Sequence, residues 1–298
     1  MDAPHAGFRE RRFRRVEPRW PAVVALVLVA AAAGCSIARF AYNHADWLLL
    51  RELDAYTDLS PAQQARAASR LRRQLEIHRR TELPGYARYL RRVRLLAADG
   101  ISVEDAAWII ETGHGLARHT IAGVIPAIAA SLAELSPRQL AHLESHLAEA
   151  NRNYRKEYLP GSREMRIAGR TRRTLSRIEH WTGELRPDQR RLVERLRNDI
   201  PESTEEWLDY NIDQQHTLLN LLRGGANAGE IEAFLHGWWV DQRGRSPSLA
   251  RNNELMVEKI GHLIASVDET LDQRQRSFLL WRLDAYIRQV DDLMQYEP

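Results

Sequence analysis

The segment Leu59-Ser60-Pro61-Ala62-Gln63 decides the fold class, because it contains a complete start signal for an α-helix. Ser60 takes the N-cap position, Pro61 the first helical position and Gln63 the third, which is the arrangement of a capping box. The pattern returns at Leu135-Ser136-Pro137-Arg138-Gln139, and related segments at Leu185–Gln189 and Leu271–Gln275 keep the third-position glutamine. These four segments predict helix starts spread along the chain.

The residues between these starts follow a helical pattern, with apolar residues three and four apart and few alternating or β-branched runs. We therefore predict an all-α fold of about ten to eleven helices in an irregular bundle or stacked-helix array. Pro84 and Pro126 should kink or break their helices, and Asp241–Ser248 should form a loop. The predicted helices are 37–57, 61–82, 84–98, 102–133, 137–158, 162–183, 187–199, 203–223, 227–241, 248–269 and 272–293.

The start signals also recur at a nearly fixed offset. Leu59 and Leu185 are 126 residues apart, and Leu135 and Leu271 are 136 apart. This spacing predicts two duplicated halves, 37–158 and 162–293, that superpose helix by helix. The alternative is that any all-helical chain repeats its caps by chance, and Pro84 and Pro201 are out of register.

The N-terminal region ends in Leu26-Val27-Leu28-Val29-Ala30-Ala31-Ala32-Ala33-Gly34-Cys35-Ser36. A charged segment, a short apolar run, small residues and then the only cysteine are typical of a bacterial lipoprotein signal. We predict a signal peptide over 1–34, lipidation of Cys35, and a helical periplasmic domain over 35–298. Ser36 is not the aspartate that retains lipoproteins in the inner membrane, so the expected location is the outer membrane, facing the periplasm.

Two alternatives fit this region less well. A transmembrane helix needs about 20 apolar residues, whereas Trp20–Gly34 has 15 and includes Pro21. A signal peptide cut after Ala33 without lipidation would leave Cys35 as a free thiol in an oxidising compartment.

Loss of residues 1–34 would change the charge balance. It would remove six arginines and three acids, so that the basic count falls from 43 to 37 and the acidic count from 40 to 37. The remaining domain would be neutral. A nucleic-acid partner is therefore not expected, because such partners require a basic surface.

Several segments together resemble an uncharacterised family of Gram-negative bacterial helical lipoproteins, a domain of unknown function. The segments are Ala41–Asp46, Leu53–Leu59, His78–Tyr86, Leu135–Leu140 and Asn151–Tyr158. The resemblance implies a lipoprotein with an all-helical fold, and it implies no known activity, substrate or catalytic residue.

Local motifs for chemistry are absent from the sequence: it contains no Gly-x-Ser-x-Gly segment, phosphate-binding loop or dinucleotide-binding glycine motif. His142 and His146 are one turn apart, but Leu143 stands where a metalloprotease has glutamate. We predict no metal and no cofactor other than the covalent lipid on Cys35.

A polar cluster is predicted near the start of the helical domain. A stripe from Phe40 through Asn43 and Trp47 to Asp54 should face the core, with Asp46 beside it. Asn43 and Asp46 then need partners, because a buried polar group without one costs on the order of 1–3 kcal/mol. The predicted partners are His78, Arg79, Arg80 and Glu82. This cluster is either a structural clamp or the wall of a binding site.

Two classes of function remain open. The favoured one is a lipid-anchored, non-catalytic envelope scaffold or binding module, with the membrane and an envelope protein as partners. The alternative is a periplasmic enzyme, a hydrolase or a metal-dependent one, whose site is assembled from separate helices.

Overall fold

The computed structural model describes residues 42–295, which form eleven α-helices and contain no strand, so the all-α prediction is confirmed. The helices are α1 (Ala45–Thr57), α2 (Pro61–Thr81), α3 (Leu83–Asp99), α4 (Val103–Leu132), α5 (Pro137–Tyr158), α6 (Arg163–Thr182), α7 (Pro187–Asn198), α8 (Thr204–Arg223), α9 (Ala228–Leu235), α10 (Pro247–Glu269) and α11 (Gln273–Gln295). A π-helical turn (His236–Val240) continues α9.

The predicted helix signals act as expected at most positions. The side chains of Ser60, Ser136 and Asn227 each accept a hydrogen bond from the backbone three residues on. Gly100 and Gly225 follow helix ends with φ angles of +102° and +77°, which glycine adopts without steric cost.

The two prolines behave differently. Helix α2 ends at Thr81 and α3 begins at Leu83, so Pro84 marks a break as predicted. Helix α4 runs through Pro126 without ending. Ile125 and Ala129, each 1% exposed, anchor this part of α4 in the core, which offsets the hydrogen bond that proline cannot donate.

Helix α4 is also the one helix between residues 42 and 295 that is long and apolar enough to cross a membrane, judged by length and composition. Ile125 and Ala129 pack in the largest core cluster together with Leu219 of α8 and Ile231 and Leu235 of α9. Part of its apolar surface therefore belongs to the core, and 33% of its most apolar segment is buried.

The third-position glutamines join helix starts that are distant in sequence. The Gln139 amide donates to Gln63 Oε1 at 2.8 Å, and the Gln63 amide donates back to Gln139 Oε1 at 3.3 Å. The Gln63 amide also donates to the carbonyl of Glu134, and that of Gln139 to the carbonyl of Asp58, both at 2.8 Å. This first glutamine pair ties the start of α2 to the start of α5.

A second pair repeats the arrangement between α7 and α11. Gln189 and Gln275 donate to each other's side-chain oxygen at 2.9 Å. The Gln189 amide donates to the carbonyl of Thr270 at 3.0 Å, and that of Gln275 to the carbonyl of Glu184 at 2.9 Å. Thr270 lies 136 residues after Glu134, and Glu184 lies 126 after Asp58, which are the offsets of the start signals.

The contacts between helices also correspond in the two halves. Helix α1 packs on α2 and α5, and α6 packs on α7 and α11. Helix α3 packs on α11, and α8 packs on α5. These pairings and the two glutamine pairs support the predicted duplication, which stays a prediction.

A largely buried ion pair joins the end of α10 to the start of α11. Asp268 of α10 is 4% exposed and accepts two hydrogen bonds from the Arg276 guanidinium of α11. It also accepts from the backbone N–H of Ile101 at 2.8 Å, while Arg276 donates to the carbonyl of Ala97 at 2.8 Å. The pair therefore fastens the α3–α4 junction to the α10–α11 junction.

The predicted core stripe of the first helix is wrong. Trp47 is 54% exposed. The prediction requires one continuous helix from Phe40, whereas α1 begins at Ala45 after a turn at His44 and buries Ala45 and Thr57. Phe40 itself lies outside the described residues.

Candidate functional site

The predicted polar residues lie near the α2–α3 break, but they do not all meet. The guanidinium of Arg79 donates to Asn43 Oδ1 at 3.3 Å, and its carbon lies 5.6 Å from the centre of the Tyr42 ring. Arg80 is exposed and Asp46 is half-buried. The side chains of Arg80 and Asp46 make no hydrogen bond or ion pair with other residues of the described range, so the cluster is smaller than predicted.

His78 is the centre of the buried part, with 9% of its surface exposed. Tyr42 Oη lies 2.8 Å from its Nδ1, and Thr120 Oγ1 lies 3.4 Å from its Nε2. Glu82, 7% exposed, accepts a hydrogen bond from Thr120 at 2.8 Å. Tyr86 Oη lies 2.7 Å from Thr120 Oγ1. We call these five residues the His78 cluster.

One set of proton positions satisfies the whole His78 cluster. Thr120 gives its single hydroxyl proton to Glu82, so Tyr86 donates to Thr120. A neutral His78 with its proton on Nε2 accepts from Tyr42 at Nδ1 and faces Thr120 and Glu82 with its N–H. The hydrogen bonds among these five residues are therefore mutually compatible.

Burial controls the protonation of the cluster. Burial lowers the pKa of His78, the neighbouring Glu82 carboxylate opposes this shift, and the His119 and Arg79 side chains add to it. Burial likewise raises the pKa of both Tyr42 and Tyr86, so both phenols keep their protons at neutral pH. The cluster is a set of neutral donors around one carboxylate.

The His78 cluster joins four parts of the chain. Tyr42 precedes α1, His78 lies on α2, Tyr86 on α3 and Thr120 on α4. At Gly123, one turn after Thr120, a Cβ atom would lie 2.6 Å from the Gln74 amide and 3.6 Å from Glu82. Any other residue here would have to displace the Gln74 amide, so glycine suits the close approach of α2 and α4. The geometry supports the clamp interpretation.

Sequence reasoning missed Tyr42, Tyr86 and Thr120. Nothing in the sequence around Tyr42 or Tyr86 identifies the partner of its hydroxyl group. Thr120 sits at the start of an apolar run of α4, 42 residues after His78, and only the packing of α4 on α2 brings it there.

Acidification should destabilise the protein through His78. Its pKa in the folded state is lowered, so the unfolded chain binds a proton more readily. The stability it contributes is complete above its unfolded pKa of 6.5 and is lost as pH falls through its folded pKa. We expect His78→Gln to flatten the fall of unfolding free energy between about pH 7.5 and 5, where one histidine contributes at most about 1.4 kcal/mol per pH unit.

Urea unfolding at a series of pH values measures this slope. His262→Gln is the matched control, because His262 is exposed and lies outside the cluster, so its slope should equal that of the wild type. Equal slopes for His78→Gln and the wild type would contradict the assigned role of His78.

The remaining histidine pair has a simpler environment. The rings of His142 and His146 lie 4.4 Å apart, and His142 Nε2 lies 3.2 Å from the carbonyl oxygen of Ala55. Within residues 42–295, no group of three or more His, Cys, Asp or Glu side chains is placed to hold a metal ion.

The fold and the His78 cluster together define an all-helical array held by paired helix caps and internal polar clamps. A family model described as "Family of unknown function (DUF6279)" matches residues 55–235, more than half of the chain. The chain therefore belongs to this family. No curated protein and no solved structure matches it.

Proposed function

We propose that the protein is a lipid-anchored lipoprotein of the bacterial outer membrane that faces the periplasm and acts as a non-catalytic scaffold or binding module. The observation that carries the proposal is the apolar stretch Leu26–Ser36, with its small residues before the single cysteine, Cys35. Residues 1–41 lie outside the described part of the structure, so the anchor is argued from sequence. Membership of a family of unknown function is compatible with this proposal and adds no activity.

The scaffold role has support from the interior of the domain. The His78 cluster uses its donors and acceptors internally, as a clamp does. The glutamine pairs and the Asp268–Arg276 ion pair tie distant helices in the same way. Ties of this kind stiffen a helical domain at several points. A stiff domain can present a surface of fixed shape to the membrane and to an envelope protein.

Cys35→Ser should abolish membrane attachment. The thiol carries the acyl chains, and each buried methylene of a chain contributes about 0.8 kcal/mol to membrane binding. We expect the wild type in the membrane fraction with incorporated labelled palmitate, and the Cys35→Ser chain without label. An unchanged membrane fraction and label in Cys35→Ser would refute the lipid anchor.

Ser36→Asp is the matched control for location. It leaves Cys35 in place, so the label should remain, while the protein should shift from the outer to the inner membrane fraction. Wild-type protein found in the inner membrane fraction would refute the outer-membrane location and leave the lipid anchor standing.

A further inference from the structure

Arginines form a continuous stripe along one side of α6. Arg163, Arg166, Arg170 and Arg173 recur at spacings of three, four and three residues. These spacings place them on one side of the helix over about 15 Å of its length. Arg197 at the end of α7 donates to the carbonyl of Ile200, two residues before Glu202, and lies near enough to Arg170 and Arg173 for their charges to lower its pKa. We call these five residues the arginine cluster.

The cluster carries far more positive than negative charge. Glu202, in the α7–α8 connection, is the carboxylate that pairs with it, at 3.5 Å from Arg166 Nε and 3.3 Å from Arg170 Nη2. Some other arginines of the described helices have closer partners, such as Arg91 with Asp291 at 2.7 Å and Arg223 with Glu144 at 2.6 Å. Glu164, exposed on α6, also lies near Arg163 and Arg166. Five arginines against these two glutamates leave an excess of positive charge in one place.

The guanidinium groups are held in place but incompletely hydrogen-bonded. The side chain of Arg170 is only 15% exposed and that of Arg166 is 26% exposed. The buried Nε atoms of both, and Glu202 Oε1, make no hydrogen bond to any of the residues 42–295. Charge-assisted hydrogen bonds are normally about 2.7–2.9 Å long, so the contacts with Glu202 are loose ion pairs.

Electrostatics shows the cost of this arrangement. Burial lowers the pKa of Arg197 to about 10, and the positive charge of Arg170 adds to the shift. Burial also lowers the pKa of Arg170. The Glu202 carboxylate acts in the opposite direction, but its effect is smaller. A partly buried group of like charges destabilises a fold unless an anion compensates it.

One edge of the cluster is aromatic. The guanidinium carbon of Arg173 lies 4.9 Å from the centre of the Tyr158 ring, which packs on Tyr154 at 4.6 Å. This contact fixes the direction of Arg173 without using its hydrogen-bond donors on a carboxylate. The donors stay available to a ligand.

We infer that the arginine cluster is a binding site for a phosphate-bearing ligand with two or more negative charges. Planar guanidinium forks match phosphate oxygens, and a charge excess spread over about 15 Å suits more than one phosphate group. The source is either a phospholipid headgroup or a free phosphate compound. The site does not require the lipid anchor proposed above.

Calorimetric titration of the full chain in a nonionic detergent with inorganic pyrophosphate tests the site. We expect saturable binding that weakens by about tenfold in Arg170→Gln and in Arg173→Gln, because each removes charge-assisted hydrogen bonds. Arg173 makes no ion pair with a carboxylate of residues 42–295, so its variant keeps the contacts of Glu202. Arg172→Gln is the matched control, because Arg172 lies on the opposite side of the same helix.

A second measurement separates the two sources. Hydrogen exchange of residues 163–182 is compared in the full chain reconstituted in phosphatidylcholine vesicles with and without cardiolipin. Slower exchange only with cardiolipin identifies a lipid headgroup, and pyrophosphate binding without a cardiolipin effect identifies a free phosphate compound. Absence of saturable pyrophosphate binding together with no cardiolipin effect, or equal weakening in Arg172→Gln, would overturn the inference.

Discussion

Replacing Asp268 with alanine should lower the free energy of unfolding by about 3 kcal/mol, since it leaves the Arg276 guanidinium, 22% exposed, without its carboxylate. Asp268 accepts hydrogen bonds from the Arg276 guanidinium and from the Ile101 backbone. In the variant, Arg276 keeps only its bonds to the carbonyls of Ala97 and residue 268. The α3–α4 junction would lose its fastening to α10.

Chemical denaturation followed by circular dichroism measures this loss. Asp291→Ala is the matched control, because Asp291 pairs with Arg91 at the surface. An exposed pair contributes at most about 1 kcal/mol. If both variants lose the same small amount, the Asp268–Arg276 pair does not hold the two junctions together.

Replacing Gln189 with leucine should cost about 3 kcal/mol, because it removes several hydrogen bonds from a fully buried site. Gln189 is 0% exposed, donates to Gln275 and to the Thr270 carbonyl, and accepts from the Arg186 backbone. Leucine has nearly the same volume, so the loss of hydrogen bonds is separated from the loss of packing.

The equivalent change in the first half provides the comparison. Gln139→Leu removes the matching bonds to Gln63 and Asp58, and its loss of stability should be of similar size. Gln273→Leu, an exposed change at the start of α11, should be close to neutral. A small loss in both Gln189→Leu and Gln139→Leu would mean that the glutamine pairs are not the joints of the array.

Helix positions could be predicted from the sequence because their signals are local. Ser60, Ser136 and Asn227 each act on a backbone N–H within the next three residues, so no knowledge of packing is needed. The predicted helix over 137–158 has the bounds of α5. The side of α1 that faces the core was less predictable, as Trp47 shows, because the helices that cover it, α2 and α5, come later in the sequence.

The polar sites depended on contacts between distant residues. Asn43 and Arg79 could be paired because an amide oxygen accepts hydrogen bonds and a guanidinium donates them. Nothing near His78 in sequence indicated Thr120. The spacing of the arginines on α6 is visible in the sequence. That Glu202 is the carboxylate paired with them is visible only in the structure. Local sequence patterns therefore predict the helices. Which charged side chains of different helices pair with each other is known only from the packing.

The packing of α3 on α11 has a consequence for synthesis of the chain. Arg91 donates to Asp291, a residue 200 positions later. At about 5–20 residues per second, a ribosome needs roughly 10–40 seconds to make the intervening chain. During that interval α3 has no partner for the face that α11 will cover. The nascent polypeptide thus stays incompletely folded at this face until α11 has been made.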